Sequence, residues 1–152
     1  MVRHALRTII ALVLLASALG KTIDLPAFTE IIGTYQALPE WAWRPAALAS
    51  VALDWVIGLW LMLGTALRGG ALLAALLQGA YAGLAALTLW SGIVVANTGT
   101  FGIFFPRPLA WSIVVENCAL AVLALLLAAI TQKPPAVEGA YQPPFGAPPD
   151  DE

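Results

Sequence analysis

Apolar residues fill four long runs of the chain, and polar or glycine- and proline-bearing stretches mark where each run ends. The clearest run is Ala46 to Leu67, AALASVALDWVIGLWLMLGTAL, 22 residues with Asp54 as its one ionisable group. As a helix it is about 33 Å long, enough to cross a hydrocarbon core about 30 Å thick. The same reading predicts further spans over residues 5–22, 71–95 and 109–130. Between the first two, Phe28, Ile31, Ile32 and Tyr35 follow the i, i+3, i+4, i+7 spacing of an amphipathic helix, with Thr29, Glu30 and Thr34 elsewhere. Roughly three turns cannot span a bilayer, so residues 26–37 are expected to lie flat at the interface. Trp41 and Trp43, after Leu38-Pro39, fit anchors at headgroup level. Arg68-Gly69-Gly70 predicts a tight turn between the second and third spans. Residues 133–152 form a tail with six prolines after Lys133, too poor in apolar surface to fold alone, and are expected to be disordered. The fold class is therefore all-α: a four-helix transmembrane bundle over residues 1–132, with a short interfacial helix between helices one and two.

Composition agrees. The 152 residues are 61% hydrophobic and 11% charged, where a soluble domain is typically about 45–50% apolar and about 25% charged. With a net charge of -2 and no basic cluster, no nucleic-acid footprint is present. One cysteine, Cys118, excludes an internal disulfide and a multi-cysteine metal site, and one histidine, His4, excludes a bis-histidine haem. No metal is expected. The start, MVRHALR followed by TIIALVLLASALG, also has the form of a secretory signal peptide. Cleavage would leave three spans, whereas Arg7 and Lys21 as snorkelling ends let Ala5 to Thr22 cross, so the first helix is expected to be retained. With the N-terminus inside, Arg3, Arg7, Arg68 and Lys133 are cytoplasmic, against Lys21, Arg44 and Arg107 outside, which favours an N-in, C-in arrangement.

The polar residues within the spans carry the candidate chemistry. A carboxylate in a span costs roughly 2.5–3.5 kcal/mol on insertion scales, so Asp54 should face protein or a wet cavity. Ala46, Ser50, Asp54, Gly58 and Met62 recur every fourth residue as one narrow stripe. Asp54 fits either a proton-handling or ligand-binding carboxylate or a structural bond to a neighbouring helix. Glu116 lies as far past Arg107 as Asp54 lies past Pro45, about nine residues or roughly 13 Å of depth in helices that run the same way. The two acids either share a polar cluster with Lys21, Ser50 and Asn117, or face different partners. Gly79-x-x-x-Gly83, with Ala75 one turn earlier, suggests a helix-packing face, and Gln78 beside it a bond across helices. Cys118 reads as inert packing, His4 as solvated, and Thr98 and Thr100 as satisfying turn backbone groups. Phe101, Phe104, Phe105 and Pro106 read as a segment that dips into the interface.

Gly20-Lys21, Phe28, Tyr35, Leu38-Pro39, and then Asp54, Gly58, Leu61 and Gly64 form an ordered combination. Together they resemble the DoxX-like membrane proteins and, within them, the methylamine utilization protein MauE family. The resemblance covers roughly Leu6 to Ile130 and implies a four-helix transmembrane bundle. It has two departures. The family usually has glutamate in helix two, where this chain has Asp54. Many members carry a Cys-Gly-Cys-Phe-Gly motif after helix three, and here Thr98-Gly99-Thr100-Phe101-Gly102 takes its place. The family is associated with maturation of periplasmic methylamine dehydrogenase through thiol chemistry, which a threonine hydroxyl cannot perform.

Three functions follow from these readings. The resemblance implies an accessory protein of a bacterial cytoplasmic (inner) membrane that assists maturation of an extracytoplasmic redox enzyme, not itself a thiol enzyme, with another membrane or periplasmic protein as partner. Relatives in the DoxX group imply a quinone-linked subunit, with quinone as the one cofactor to consider, held near Trp55, Trp60 and Trp90. The third is a purely structural subunit of a larger membrane complex.

Overall fold

A computed structural model describes residues 1–102 and 105–131. The expected tail, with Lys133, and Phe104 of the aromatic run lie outside the described residues. Among the described residues five α-helices follow in order: α1 (Val2–Ile23), α2 (Leu25–Thr34), α3 (Trp43–Leu63), α4 (Leu67–Trp90) and α5 (Trp111–Ile130), with a 3₁₀ turn, Glu40–Ala42, before α3. Four of them, all but α2, are long and apolar enough to cross a membrane. Each span packs on two others: α1 on α3 and α5, and α4 on α3 and α5. Consecutive spans are antiparallel neighbours, so the four close into an up-down-up-down ring.

The boundaries shift from the sequence expectation for local reasons. Aspartate is a good N-cap, and the Asp24 side chain accepts from Ala27 N, so α1 stops and α2 starts within one residue. Gly64, at φ +79°, ends α3 in the left-handed conformation, with its N–H bonded to Trp60 O. The turn therefore lies at Gly64–Ala66, not at Arg68-Gly69-Gly70, which instead begins α4. Helix α4 ends at Trp90 rather than at residue 95, where Ser91 and Gly92 stop it.

The bundle has two halves. Towards the start of α1 and the end of α5, Ile10, Leu14, Ile57 and Leu61 meet Ala71, Ala74, Ala75, Ala124, Leu127 and Ala128 in one buried cluster. Alanine on both sides of the α4–α5 contact lets these helices approach closely, which is how membrane helices associate when lipid is as apolar as their side chains. Gly79 and Gly83 take no part in this packing. Both are exposed, and a Cβ at either would meet nothing within 4 Å. The packing face is the alanine stripe one position away, so the expected GxxxG seam is not a contact within the chain.

The other half is closed by α2 and by the segment 91–110. Phe28 and Ile31 of α2 are buried against the bundle. The segment doubles back on itself: Thr98 N donates to Arg107 O at 2.9 Å and Leu109 N to Val95 O at 2.9 Å. Its bend rests on α1 by backbone-to-backbone contact. A Cβ on Gly20 would collide with the Phe101 carbonyl, and one on Gly102 with the Gly20 carbonyl, so only glycine allows this approach.

Gly20→Ala tests that contact. In an open helix, Gly→Ala gains up to about 1 kcal/mol. The collision should reverse the sign and cost about 1–3 kcal/mol, as overpacking does. Gly79→Ala, in open space, should be neutral or slightly stabilising. Unfolding of both variants by SDS titration in mixed micelles measures the difference, and equal stability of the two would refute the contact.

Candidate functional site

The clustered polar side chains at the open half come from α1, α3 and α4. Lys21 stands in the last turn of α1, and its side chain, 4% exposed, points inward rather than snorkelling to the surface. Asp54 lies at the middle of α3 and is fully buried. Their ion pair closes at 2.7 Å between Nζ and Oδ2. The ammonium has three protons and three acceptors: Asp54, Ser50 Oγ at 3.2 Å and, longer, Tyr81 Oη at 3.5 Å. It also lies 4.8 Å from the ring centre of Tyr81 and 5.3 Å from that of Phe28, within cation–π range.

Asp54 is equally occupied. Oδ2 accepts from Lys21 and lies 2.8 Å from Ser17 Oγ, while Oδ1 lies 3.3 Å from Tyr81 Oη. Ser50 and Tyr81 hydroxyls are 2.8 Å apart. Ser17 Oγ is also 2.7 Å from Thr100 O, so its one proton faces two acceptors and joins the carboxylate to the loop. Burying two ions is tolerable only when each finds its full set of partners, and here α1, α3 and α4 supply them.

The segment Thr98–Gly102 forms a compact turn over this cluster. Gly99 N donates to Asn97 Oδ1 at 3.0 Å, Asn97 Nδ2 to Gly102 O at 3.3 Å, and Gly102 N to Gly99 O at 3.0 Å. Tyr35 Oη donates to Thr98 O at 2.9 Å, which ties α2 to the turn. The Thr98 and Thr100 hydroxyls face each other at 3.1 Å, rather than satisfying turn backbone groups as the sequence suggested. Burial pushes the Tyr35 phenol up to about 12, so this strap stays a donor through neutral and mildly alkaline pH.

Below the turn is a cavity of about 360 Å³, within the range of small-molecule pockets. Lys21, Ser50 and Tyr81 stand on its polar side, with Phe28, Ile32 and Leu84 among its apolar lining. Thr98, Gly99 and Thr100 line it as well, while Phe101 and Gly102 serve the backbone contact with α1.

The structure gathers part of the expected cluster and not the rest. Lys21, Ser50 and Asp54 meet; Glu116 does not join them. It is paired outside the bundle with Arg107, in two bonds of 2.7 and 2.5 Å, with about half of its side chain exposed. That bidentate partner raises the Arg107 guanidinium above its ordinary value, and the pair neutralises two charges at the mouth of α5. Equal depth did not imply equal direction, because one residue turns a helix by about 100°. Asn117, the next residue, faces the cavity, and its Nδ2 donates to Ile113 O at 2.9 Å. The four-residue stripe on α3 also drifts: Met62 is exposed, and Leu61 is buried in its place. Of the tryptophans, Trp55 bonds Thr22 at 3.0 Å and Trp60 bonds Thr65 O at 2.8 Å, Trp90 is exposed, and none lines the cavity. Gln78 is buried but makes no bond across helices among the described residues. Cys118 is exposed on the outer face of α5.

Ser17 and Tyr81 were missed. Ser17 precedes Lys21 by four residues and Tyr81 follows Gln78 by three, spacings that put each pair on one helix face. Polar residues sharing a face within a span were the available signal.

A family model described as methylamine utilisation protein MauE matches residues 1–130. A methylamine utilization protein MauE of Paracoccus denitrificans is 30% identical over 128 residues, covering 84% of this chain and 69% of that protein. No solved structure matches.

Breaking a buried pair by removing one partner costs about 3–5 kcal/mol. Lys21→Met and Asp54→Asn should each destabilise by that order, and the double variant by clearly less than the sum; additive losses in SDS titration would mean the two are uncoupled. Tyr35 gives a pH prediction. Its phenol titrates near 10 in the unfolded chain and near 12 in the fold, so its contribution to stability is complete below pH 10 and is lost as pH rises through about 12. Phenolate absorbance should show this late titration vanish in Tyr35→Phe.

Proposed function

This chain belongs to the methylamine utilisation protein MauE family, a family of multi-pass membrane proteins, and from that premise we propose that it is an accessory protein. It assists maturation or assembly of a redox enzyme of the methylamine dehydrogenase type on the outer side of a bacterial cytoplasmic membrane. It does so without thiol–disulfide chemistry of its own. The relative's name supplies the methylamine context. The observation that carries the reading is the place of Thr98-Gly99-Thr100. At the position of the family's cysteine pair, this turn is held by Tyr35, Ser17 and Gly20 at the end of the bundle opposite both the start of α1 and the end of α5.

With both of those helix ends on the cytoplasmic side, the turn, α2 and the exposed Phe105 and Trp41 form the outward face. That face is the docking surface for the partner enzyme. Two hydroxyls 3.1 Å apart transfer no electrons, so the role left to the turn is presentation and binding.

Two measurements test this. Full-length protein captured in mild detergent should bring down a soluble periplasmic enzyme, and Tyr35→Phe, which unties the turn, should weaken that recovery several-fold. Thiol-oxidising activity should be absent from the unaltered chain and should require the double change Thr98→Cys and Thr100→Cys. Activity in the unaltered chain, or capture of membrane subunits alone in fixed ratio, would overturn the proposal.

A further inference from the structure

The ion pair at the cavity is self-contained, but one amide group on the cavity wall is not. Gln78 of α4 is 4% exposed, and its Oε1 is buried with no hydrogen-bond partner among the described residues. Asn117 of α5 is 6% exposed, and it uses Nδ2 on its own helix, on Ile113 O. Both residues line the 360 Å³ cavity. An unpaired amide oxygen buried in a protein costs about 1–3 kcal/mol, and more in a bilayer where water does not repair it.

Water is a poor occupant. The space would hold on the order of a dozen molecules at about 30 Å³ each, and each needs two to four polar partners. The wall offers Val13, Phe28, Ile31, Ile32, Leu84 and Leu120 for most of its area. An ionic occupant fits no better. Lys21 and Asp54 cancel each other's charge and have their bonding sites filled, so an ion would be buried without a counter-charge.

We propose that this cavity is a binding site for one uncharged, membrane-soluble molecule with a hydroxyl head on an apolar body, the hydroxyl pairing with Gln78. A hydroxyl donates one bond and accepts others, so it pairs with Gln78 whichever way that amide is turned, donating to Oε1 or accepting from Nε2. The apolar body lies against the aliphatic and aromatic wall. The site takes this ligand whether or not the chain serves a partner enzyme, so the two proposals fail separately.

The test uses the purified full-length chain in detergent micelles and two probes of matched size, para-pentylphenol and pentylbenzene, by equilibrium dialysis corrected for empty micelles. The phenol should bind saturably, one per chain, and about three- to tenfold more tightly than pentylbenzene, the value of one neutral hydrogen bond. Gln78→Leu, which keeps the volume, should bring the phenol to the affinity of pentylbenzene. Leu84→Trp, which fills the cavity from a partly lipid-facing position, should weaken both probes at least roughly tenfold. Equal affinity of the two probes, absence of saturation, or phenol binding that survives Leu84→Trp would overturn the site. Recovery of bulk phospholipid alone on solvent extraction of the native protein would do the same, since it would make the cavity a seat for acyl chains. The unaltered chain decides the first two outcomes even where a variant fails to fold.

Discussion

An ammonium and a carboxylate held together inside a bilayer set the conditions that the rest of this bundle meets. Apolar helices in lipid gain nothing from burying more hydrocarbon, so a seam of leucine and alanine fixes neither rotation nor axial shift with much force. The Lys21–Asp54 pair does. With three protons on Nζ directed to Asp54, Ser50 and Tyr81, any slide of α1 against α3 leaves a charge without its partners. In an environment without water that penalty is severe, so the pair specifies register where packing alone would tolerate several. Tyr81 extends the constraint to α4 and Ser17 extends it to the loop.

The two halves of the bundle divide the work. At one end, small side chains bring α4 and α5 together and leave no room. At the other, the same helices carry Gln78, Tyr81 and Asn117 around an open volume, roofed by Phe28 and Ile31 of α2. The roof is held by few contacts, but they are specific. Asp24 starts α2 immediately after α1, Tyr35 fastens its far end to Thr98, and Gly20 receives the turn's backbone. A glycine in the penultimate turn of a membrane helix costs helix stability, and the tight backbone seat is what it gains in return.

Much of this was legible because the membrane makes demands that show in a sequence. Spans must be long and apolar, so four helices and their antiparallel order followed from run lengths. An acid within a run must be sheltered, so Asp54 and its neighbours Lys21 and Ser50 were identifiable. Direction around a helix axis was not legible in the same way. Glu116 and Asn117 are adjacent, yet one faces Arg107 on the outside and the other the cavity. The Gly79/Gly83 pattern failed for a related reason: the motif says that close approach is possible, not that a neighbour is there. Gly64 ended α3 where a Gly-Gly doublet five residues on looked the better turn, because the left-handed cap forms at the first glycine available. Ser17 and Tyr81 carried no signal as single residues and acquire meaning only through the partners that folding brings.

The side chains of Thr98 and Thr100 contribute little to how the turn is seated. The contacts that seat the turn use backbone carbonyls, Thr98 O with Tyr35 and Thr100 O with Ser17, and glycines at positions 20 and 102. None of them depends on what the two side chains are. A thiol or a hydroxyl at these positions would occupy the same space beside the same buried pair, within one serine of the Asp54 carboxylate. The link from carboxylate to turn passes through Ser17 and the main chain, not through either threonine side chain. The seat of the turn is therefore independent of the side chains it carries, and it holds the same shape above the open cavity between the helices.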